Sequence, residues 1–329
     1  MMRQKVLVTR SLFPDIVDRL RAWFEVEVNE GPRYTPEQLR MALQDKSGVL
    51  VAGGEKIDAA IVEGLSLLRV VSVAAAGYNN IDVPALTKAG IMASNSPGEA
   101  DETTADFAWG LLIATARRLV EAEHWLQDGN WKGSAGSRFF GTDIHGKTLG
   151  VIGMGRIGQA IARRASGFRM SVLYHNRSRL GIQIEQDCRA AYVSKEDLLR
   201  TSDFVILSLP FTPDSYHLIG AAELALMRPS AMLINIARGG LIDEAALAAA
   251  LREGRLAAAG LDVFEKEPVV HPDLFGLPNV VLTPHIAGGT EATQHALASL
   301  AADNLIAALG CGPQAGHPPS LLNPELLGR

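Results

Sequence analysis

The sequence predicts an α/β protein made of two domains, each with a parallel β-sheet of the Rossmann or flavodoxin type and with a cleft between them. Short apolar runs of strand length alternate with helical segments along most of the chain. Residues 69–75 carry no polar alternation apart from Ser72, which is typical of a strand buried on both faces of a parallel sheet. The length of 329 residues corresponds to about two domains.

The first block of elements lies between residues 5 and 95. Thr35-Pro36-Glu37-Gln38 combines an N-cap threonine, an early proline and a glutamine three positions on, so it predicts the start of a helix. Asp82 predicts the cap of a helix over 83–89, which Gly90 ends. We expect strands at 5–9, 25–28, 48–52, 69–75 and 91–95, and further helices at 14–23 and 58–64.

A long helical segment separates the two blocks. Residues 101–128 contain no proline and a single glycine, so they predict one continuous helix. The second block begins at Thr148, with strands expected at 148–152, 171–175, 204–209, 232–235, 258–263 and 280–283. Helices are expected at 159–165, 244–253 and 291–309, and the four prolines after residue 312 predict an irregular arm.

Composition and charge narrow the class of protein. The net charge of −5 is a poor match for nucleic acid, so we expect no nucleic-acid partner. The apolar runs are shorter than the roughly 18 residues of a membrane span, and the N-terminus lacks the apolar stretch of a signal peptide. Cys188 and Cys311 are too few for a disulfide framework and fit a reducing compartment. We therefore expect a cytoplasmic protein that does not insert into a membrane.

The strongest local motif is the glycine pattern at 150–158, Gly-Val-Ile-Gly-Met-Gly-Arg-Ile-Gly, between an apolar strand and a helix. In this G-x-G-x-x-G pattern Gly153 permits a tight turn, Gly155 lets a pyrophosphate approach the backbone, and Gly158 lets helix and strand pack closely. The helix N-terminus supplies N–H donors to the phosphates. The dinucleotide contacts predicted here are Gly153, Met154, Gly155, Arg156, Ile157 and Gly158.

The next strand lacks the acid that usually binds the ribose 2′-hydroxyl of NAD. It ends at Tyr174-His175-Asn176, and Arg177, Ser178 and Arg179 follow. Guanidinium groups and a hydroxyl suit a 2′-phosphate, so the segment favours NADP(H), with NAD(H) left open. The alternative is that both arginines are ordinary solvated loop residues.

Three side chains of types that can bind a ligand or transfer a proton follow successive strands of the second block. Arg238 comes directly after an apolar strand, where a guanidinium can bind a carboxylate with two hydrogen bonds. The next strand runs into acidic residues that include Glu265 and Glu267, and the last strand ends at His285, a natural proton donor near neutral pH. Each residue alone has an ordinary structural explanation. The acid pair lacks the ligand spacing of a metal site, so no metal is expected.

These motifs resemble those of the D-isomer-specific 2-hydroxyacid dehydrogenases, and the resemblance covers nearly the whole chain. It is strongest to the glyoxylate/hydroxypyruvate reductase and 2-ketogluconate reductase branch. The stretches that carry it are 76–82, 141–150, the glycine motif, 236–239, 260–264, Glu267-Pro268 and 284–286.

The resemblance implies a role for each matching residue. Arg238 would orient the substrate, Glu267 would pair with the histidine, and His285 would be the acid/base. The backbone at Ala76 and Gly77 would receive the substrate carboxylate, close to the loop of Gly53 and Gly54. Further cofactor contacts are implied at Thr104, Pro210, Ile236, Ala237, Asp262 and Gly288. The implied domains are 1–98 plus 288–329 for the substrate and 99–287 for the dinucleotide, with the active site in the cleft.

The function implied is an NADPH-dependent reductase that converts glyoxylate and hydroxypyruvate to D-2-hydroxy acids by hydride transfer. A 2-ketogluconate reductase, also called gluconate 2-dehydrogenase, is the alternative within the family. The alternative that is not an enzyme is a nucleotide-sensing scaffold of the same fold. The resemblance also implies a homodimer formed through the region 101–128, near Trp109, Trp125 and Trp131. Relatives often carry Trp-Tyr where this chain has Phe139-Phe140, a pair that we expect to shape the substrate pocket.

Overall fold

A computed structural model describes residues 3–327. The strands are β1 (Lys5–Val8), β2 (Glu25–Val28), β3 (Gly48–Val51), β4 (Val70–Val73), β5 (Met92–Ser94), β6 (Thr148–Ile152), β7 (Ser171–His175), β8 (Ala190–Tyr192), β9 (Phe204–Leu207), β10 (Met232–Asn235), β11 (Ala258–Leu261) and β12 (Val280–Leu282). The helices are α1 (Pro14–Arg21), α2 (Pro36–Ala42), α3 (Ala59–Val62), α4 (Val83–Lys88), α5 (Asp101–Ala116), α6 (Leu119–Gln127), α7 (Arg156–Ala165), α8 (Ile182–Cys188), α9 (Lys195–Thr201), α10 (Ala221–Leu226), α11 (Glu244–Arg252) and α12 (Glu291–Ala308).

The chain divides into two compact units. The first comprises Met1–Ala100 with Gly289–Arg329, and the second comprises Asp101–Gly288. The predicted domain limits lie one or two residues from these boundaries. Each unit contains one sheet, and all the paired strands are parallel, which confirms the predicted α/β class.

The sheet of the first unit has the order β2-β1-β3-β4-β5, which is the flavodoxin-like order. Strand β1 is buried on both faces, since Leu7 packs in one apolar cluster while Val6 and Val8 pack in another. Helix α12 closes the second cluster, and the Ser72 hydroxyl donates to the Ala301 carbonyl at 2.7 Å. The first unit is therefore completed by a helix from the far end of the chain.

The predicted helix starts of the first unit are confirmed in detail. Thr35 and Gln38 form a reciprocal capping box at the start of α2, in which each side chain binds the other's backbone N–H. The Asp82 carboxylate accepts from the Ala85 N–H at 3.0 Å and caps α4. These bonds satisfy N–H groups that have no partner inside a helix.

The sheet of the second unit has the order β12-β11-β10-β9-β6-β7-β8. The chain order reverses between β6 and β9, as in the Rossmann fold. Strand β6 sits at that reversal, with Val151 opposite both Tyr174 of β7 and Ile206 of β9. The edge strand β8 was not expected, because Ala190-Ala191-Tyr192 is short and its alanines favour strands poorly.

The prediction of one continuous helix over 101–128 is wrong. Helix α5 ends at Ala116 and α6 begins at Leu119, with Arg118 between them in the left-handed region at φ 55°. The Ala116 carbonyl accepts from the Thr142 N–H at 2.9 Å, so a distant loop takes the bond that would continue the helix. The Arg118 guanidinium binds Glu121 and holds the new direction.

The aromatic residues of this region divide into buried and exposed groups. Trp109 is buried, stacks on Phe168 at 4.6 Å and donates to the Ile161 carbonyl, so it belongs to the core of its own unit. By contrast Trp131 and Phe140 are 62% and 75% exposed. Leu119, Val120 and Leu126 of α6 are exposed as well.

Among the described residues, none of the helices combines the length and apolarity that crossing a bilayer requires.

Candidate active site

The carboxyl edge of the seven-stranded sheet carries most of the predicted site residues. Parallel strands open their following loops on one edge, and the reversal of strand order is where open α/β sheets bind ligands. The loops there carry Gly153, Met154 and Gly155 after β6; Arg177, Ser178 and Arg179 after β7; Pro210 after β9; Ile236, Ala237 and Arg238 after β10; Asp262 and Glu267 after β11; and His285 and Gly288 after β12. Arg156, Ile157 and Gly158 begin α7, and the buried Thr104 lies in the first turn of α5.

The glycine loop has the geometry that a dinucleotide needs. Gly153 has φ +98°, and a Cβ there would lie 2.7 Å from the Leu209 backbone nitrogen. A Cβ on Gly158 would lie 2.3 Å from the Gly153 carbonyl oxygen. At Gly155, by contrast, a Cβ would meet no atom of the described chain within 4 Å. Packing therefore requires two of the glycines, while the third leaves room for a pyrophosphate at the N-terminus of α7.

Polar side chains fix this loop from neighbouring strands. The Asn176 Oδ1, just after β7, accepts from the Met154 N–H at 2.7 Å. The Ser208 hydroxyl, just after β9, donates to the Gly153 carbonyl at 2.7 Å. The predicted contact Arg156 is itself paired with Asp101, at 2.6 Å from Nε to Oδ2. Asn176 was not predicted as a site residue, although a polar residue directly after an apolar strand is a usable signal.

The two arginines after β7 have different surroundings. Arg177 and Ser178 are exposed. Arg179 donates from Nε and Nη2 to the two carboxylate oxygens of Glu185, both at 2.8 Å. The hydrogen bonds from Arg179 and from the Tyr174 hydroxyl lower the pKa of the buried Glu185 to about 2. Two of the donors of Arg179 are thus already engaged within the protein.

The Arg238 turn is held by Asn235, the last residue of β10. Asn235 accepts from the Ala237 N–H at 3.0 Å and donates to the Arg238 carbonyl at 2.9 Å. Burial lowers the pKa of Arg238, and the negative charge of Glu267 acts in the opposite direction. Arginine stays protonated in proteins, so this turn presents a half-buried cation. The support from Asn235 was not foreseen.

Gly239 joins the Arg238 turn to the segment that leads to Glu267. A Cβ at Gly239 would lie 1.8 Å from the Phe264 carbonyl carbon and 2.2 Å from the Glu265 nitrogen. The two backbones are therefore in direct contact. Only glycine allows this approach.

The turn that carries His285 is held by Asp262. The Asp262 carboxylate is fully buried and accepts from the Thr283 hydroxyl, the Ile286 N–H and the Ala287 N–H at 2.7–2.9 Å. The Asp262 carbonyl also accepts from the His285 N–H at 2.8 Å. His285 has φ 54°, a left-handed conformation that costs energy and needs such support. The predicted cofactor role of Asp262 stays a prediction; its contacts make it the anchor of this turn.

His285 and Glu267 form a pair through Nδ1 and Oε2 at 2.8 Å. The other carboxylate oxygen of Glu267 accepts from the Phe264 N–H at 3.0 Å. Burial opposes ionisation, but the bonds from His285 and Phe264 and the charge of Arg238 outweigh it and lower the pKa of Glu267. An ionised Glu267 makes Nδ1 the donor in the pair. Nε2, on a side chain that is 48% exposed, is then the ring nitrogen left for a ligand.

The remaining predicted substrate residues follow β3 and β4 of the first unit. The Gly53 N–H donates to the buried Glu55 carboxylate at 3.1 Å, and the Gly54 carbonyl accepts from Arg33. The Ala76 carbonyl accepts from the buried Asn95 side chain at 2.7 Å. Since the C=O and N–H of a trans peptide point in opposite directions, this bond turns the Gly77 N–H away from Asn95. The roles of these residues in binding substrate stay predictions.

Two further expectations concern metals and the aromatic pair. Within residues 3–327, no three His, Cys, Asp or Glu side chains are arranged to hold a metal ion. Phe139 packs on Trp125 at 5.3 Å, and Phe140 lines a cavity of about 230 Å³ with Met232 and Val280, near the starts of their strands. Within its own unit Phe140 therefore lies at the sheet edge opposite to His285.

An imidazole paired with a carboxylate, on the same sheet edge as a glycine-rich loop at a helix N-terminus, is typical of nicotinamide-dependent oxidoreductases of CH–OH groups. Residues 109–287 match the family model described as D-isomer specific 2-hydroxyacid dehydrogenase, NAD binding domain. The chain belongs to the D-isomer specific 2-hydroxyacid dehydrogenase family, which confirms the resemblance seen in the sequence.

Similar proteins cover the chain from end to end. A glyoxylate reductase from Thermococcus gammatolerans is 44% identical over 99% of this chain and 98% of its own. The glyoxylate/hydroxypyruvate reductase B of Serratia proteamaculans is 44% identical over 94% of this chain and 95% of its own. The crystal structure of an NADPH-dependent glyoxylate/hydroxypyruvate reductase from Sinorhizobium meliloti, in complex with NADP and malonate, has a TM-score of 0.87 at 34% identity and covers 99% of both chains.

Proposed function

We propose that this enzyme uses NADPH to reduce the small 2-keto acids glyoxylate and hydroxypyruvate to D-2-hydroxy acids. The observation that carries the proposal is the 2.8 Å pair of His285 with Glu267, on the same edge as the Arg238 turn. The substrates are those named for the similar proteins of Thermococcus gammatolerans and Serratia proteamaculans.

His285 is the proposed proton donor to the keto oxygen. Glu267 accepts the Nδ1 hydrogen and so fixes the ring with Nε2 outward. The protonated ring gives its Nε2 proton as negative charge develops on the substrate oxygen, and the carboxylate stabilises the imidazolium before transfer. Asp262 holds the turn in the left-handed conformation that aims the ring.

Arg238 is the proposed partner of the substrate carboxylate. A guanidinium binds a carboxylate through two parallel hydrogen bonds, which fixes the neighbouring keto carbon as well as its charge. Because Arg238 is half-buried, its attraction is screened by water less than that of a surface arginine. We keep the Gly53, Gly54, Ala76 and Gly77 backbone as further proposed substrate contacts.

The loops after β6 and β7 are the proposed cofactor site. NADPH, when bound there, supplies the hydride that reduces the keto carbon. Gly155 and the N-terminus of α7 would hold the pyrophosphate, and Arg177 with Ser178 would face the 2′-phosphate. Asn176 stands where an NAD-specific protein usually has an acid, and an amide does not repel a phosphate.

A homodimer is the proposed assembly, formed through the exposed apolar side chains of α6 and the loop after it. Trp131 and Phe140 are its most exposed aromatic residues. Light scattering at low micromolar concentration should give about twice 35.2 kDa, and a mass that stays near 35.2 kDa would refute it.

The free cysteines Cys188 and Cys311 agree with the cytoplasm as the proposed compartment.

The direct test is a kinetic screen of the purified protein. Glyoxylate, hydroxypyruvate, 2-ketogluconate and phenylpyruvate are each offered with NADPH and with NADH, and kcat/KM is measured. We expect glyoxylate or hydroxypyruvate with NADPH to be best. A preference for 2-ketogluconate would move the enzyme to the alternative substrate class, and equal or better use of NADH would overturn the cofactor preference. No reduction of any keto acid would overturn the proposed function.

A further inference from the structure

The segment after β7, residues 176–181, is called the ribose loop here. We propose that Glu185 is a positioning residue, which with Tyr174 holds Arg179 as a structural brace so that Arg177 and Ser178 alone read the 2′-phosphate. The proposal rests on the NADPH preference proposed above, and it assigns different tasks to two arginines that look equivalent in the sequence.

Both ends of the ribose loop are anchored to the sheet. At its start, Asn176 Oδ1 accepts from the Met154 N–H, and the Asn176 carbonyl accepts from the Tyr192 hydroxyl at 3.2 Å. Near its end, the Leu180 N–H donates to the Tyr174 hydroxyl at 2.9 Å. The residues between these anchors are Arg177, Ser178 and Arg179.

A buried carboxylate pairs with the last of these three residues, Arg179, whose side chain remains 63% exposed. The Tyr174 hydroxyl donates to Glu185 at 2.7 Å, and Arg179 binds both Glu185 oxygens in a bidentate pair. Tyr174 and Glu185 are buried to 0% and 6% exposure. If Arg179 turned its Nε and Nη2 to a phosphate, Glu185 would lose two charge-assisted hydrogen bonds inside the protein, which is unfavourable.

The remaining two residues face solvent. Across residues 3–327, the side chains of Arg177 and Ser178 make no hydrogen bond or ion pair with the protein. Arg179 is neutralised by Glu185, whereas the charge of Arg177 is uncompensated. The loop therefore presents one guanidinium and one hydroxyl, on a backbone whose shape is fixed by the brace.

The test measures binding, so it does not depend on turnover. Calorimetry on the full-length protein gives the Kd of adenosine 2′,5′-bisphosphate and of 5′-AMP, and their ratio isolates the 2′-phosphate. Arg177→Ala should raise the Kd of the bisphosphate by roughly 10- to 150-fold. The Kd of 5′-AMP should stay within about twofold, which also shows that the variant is folded.

Glu185→Gln is the decisive variant. If Glu185 is a positioning residue, this change raises the Kd of the bisphosphate by about threefold or more and leaves that of 5′-AMP unchanged. Tyr174→Phe should act in the same direction, because it removes the hydroxyl that holds Leu180. Glu185→Gln should add nothing to Arg177→Ala, since both act on the same contact.

A matched control is available in the same unit. Arg118 and Glu121 form another bidentate pair, with hydrogen bonds of 2.8 and 2.9 Å, and Glu121→Gln should leave the ratio of the two Kd values unchanged.

The opposite result is equally clear. If Arg179 binds the phosphate itself, Glu185→Gln frees its guanidinium and removes a negative charge, so the bisphosphate should bind as well as before or more tightly. That outcome would overturn the positioning role alone. A wild-type protein that binds both ligands equally would overturn the NADPH preference, and this proposal with it.

Discussion

Replacing Gly239 by alanine should disconnect the Arg238 turn from the segment that carries Glu267. A Cβ at this position would lie 1.8 Å from the Phe264 carbonyl carbon and 2.0 Å from its oxygen. Ordinary contact between such atoms needs about 3.5 Å, so the two backbones must separate by roughly 1.7 Å. Both are backbone, and no flexible side chain can turn aside to absorb the shift.

The expected loss follows from that displacement. A misplacement of about 1 Å in a catalytic group costs roughly 100-fold in rate, so kcat/KM for the best keto acid should fall by at least that factor. Overpacking should also destabilise the second unit by about 1–3 kcal/mol, measured by denaturant unfolding. The rate is measured as the loss of reduced-nicotinamide absorbance, and 5′-AMP binding shows whether the glycine loop is still folded.

Gly167→Ala is the matched control, because a Cβ there meets no described atom within 4 Å and its φ is not positive. It should leave both stability and kcat/KM close to wild type. If Gly239→Ala were as active and as stable as Gly167→Ala, the two loops would not be in the contact described, and the reasoning would fail.

Three further predictions concern the imidazole, the glycine loop and the ribose loop. His285→Asn should lower kcat by roughly 100-fold or more with nucleotide binding unchanged, and near-normal turnover would remove His285 as the acid. Gly155→Ala should weaken nucleotide binding at unchanged stability, whereas Gly158→Ala should lower the denaturant midpoint; the reverse pattern would contradict the packing found here. The pKa of Glu185 falls from 4.5 to about 2 on folding, so its pairing stabilises the fold above pH 4.5 and is lost as the pH falls toward 2. Glu185→Gln should therefore be less stable than wild type near pH 6, with the difference shrinking toward pH 2, and a constant difference would refute the pairing.

Local patterns predicted much of this fold because their causes are local. The apolar run at 70–73 predicts a strand buried on both faces from its own residues, without knowledge of the strands that pair with it. Thr35 and Asp82 each accept a hydrogen bond from the N–H group three residues further on, so the sequence pattern is enough to predict these caps. The spacing of the motif predicted that Gly153 permits a tight turn and that Gly158 permits close packing. The structure agrees, because a Cβ at either position would overlap neighbouring atoms.

The features that escaped prediction depend on contacts between distant residues. The break after Ala116 is caused by the N–H of Thr142, and the residues between 116 and 119 contain neither proline nor glycine. Arg179 looked free because nothing in its own segment shows the buried carboxylate of Glu185. Asp262 stands 23 positions before His285, and only the pairing of β11 with β12 brings it to the turn.

The place of α12 in the first unit constrains how the protein is made. Chains are synthesised from the N-terminus, and domains begin to fold during synthesis. The second unit is contiguous, so all its strands are translated before α12. The first sheet is translated earliest but must wait for Leu305 and its neighbours to cover Val6 and Val8. For most of its synthesis the oldest part of the chain thus carries an uncovered apolar face, and a chain that ended just before residue 291 would contain one complete unit and one incomplete unit.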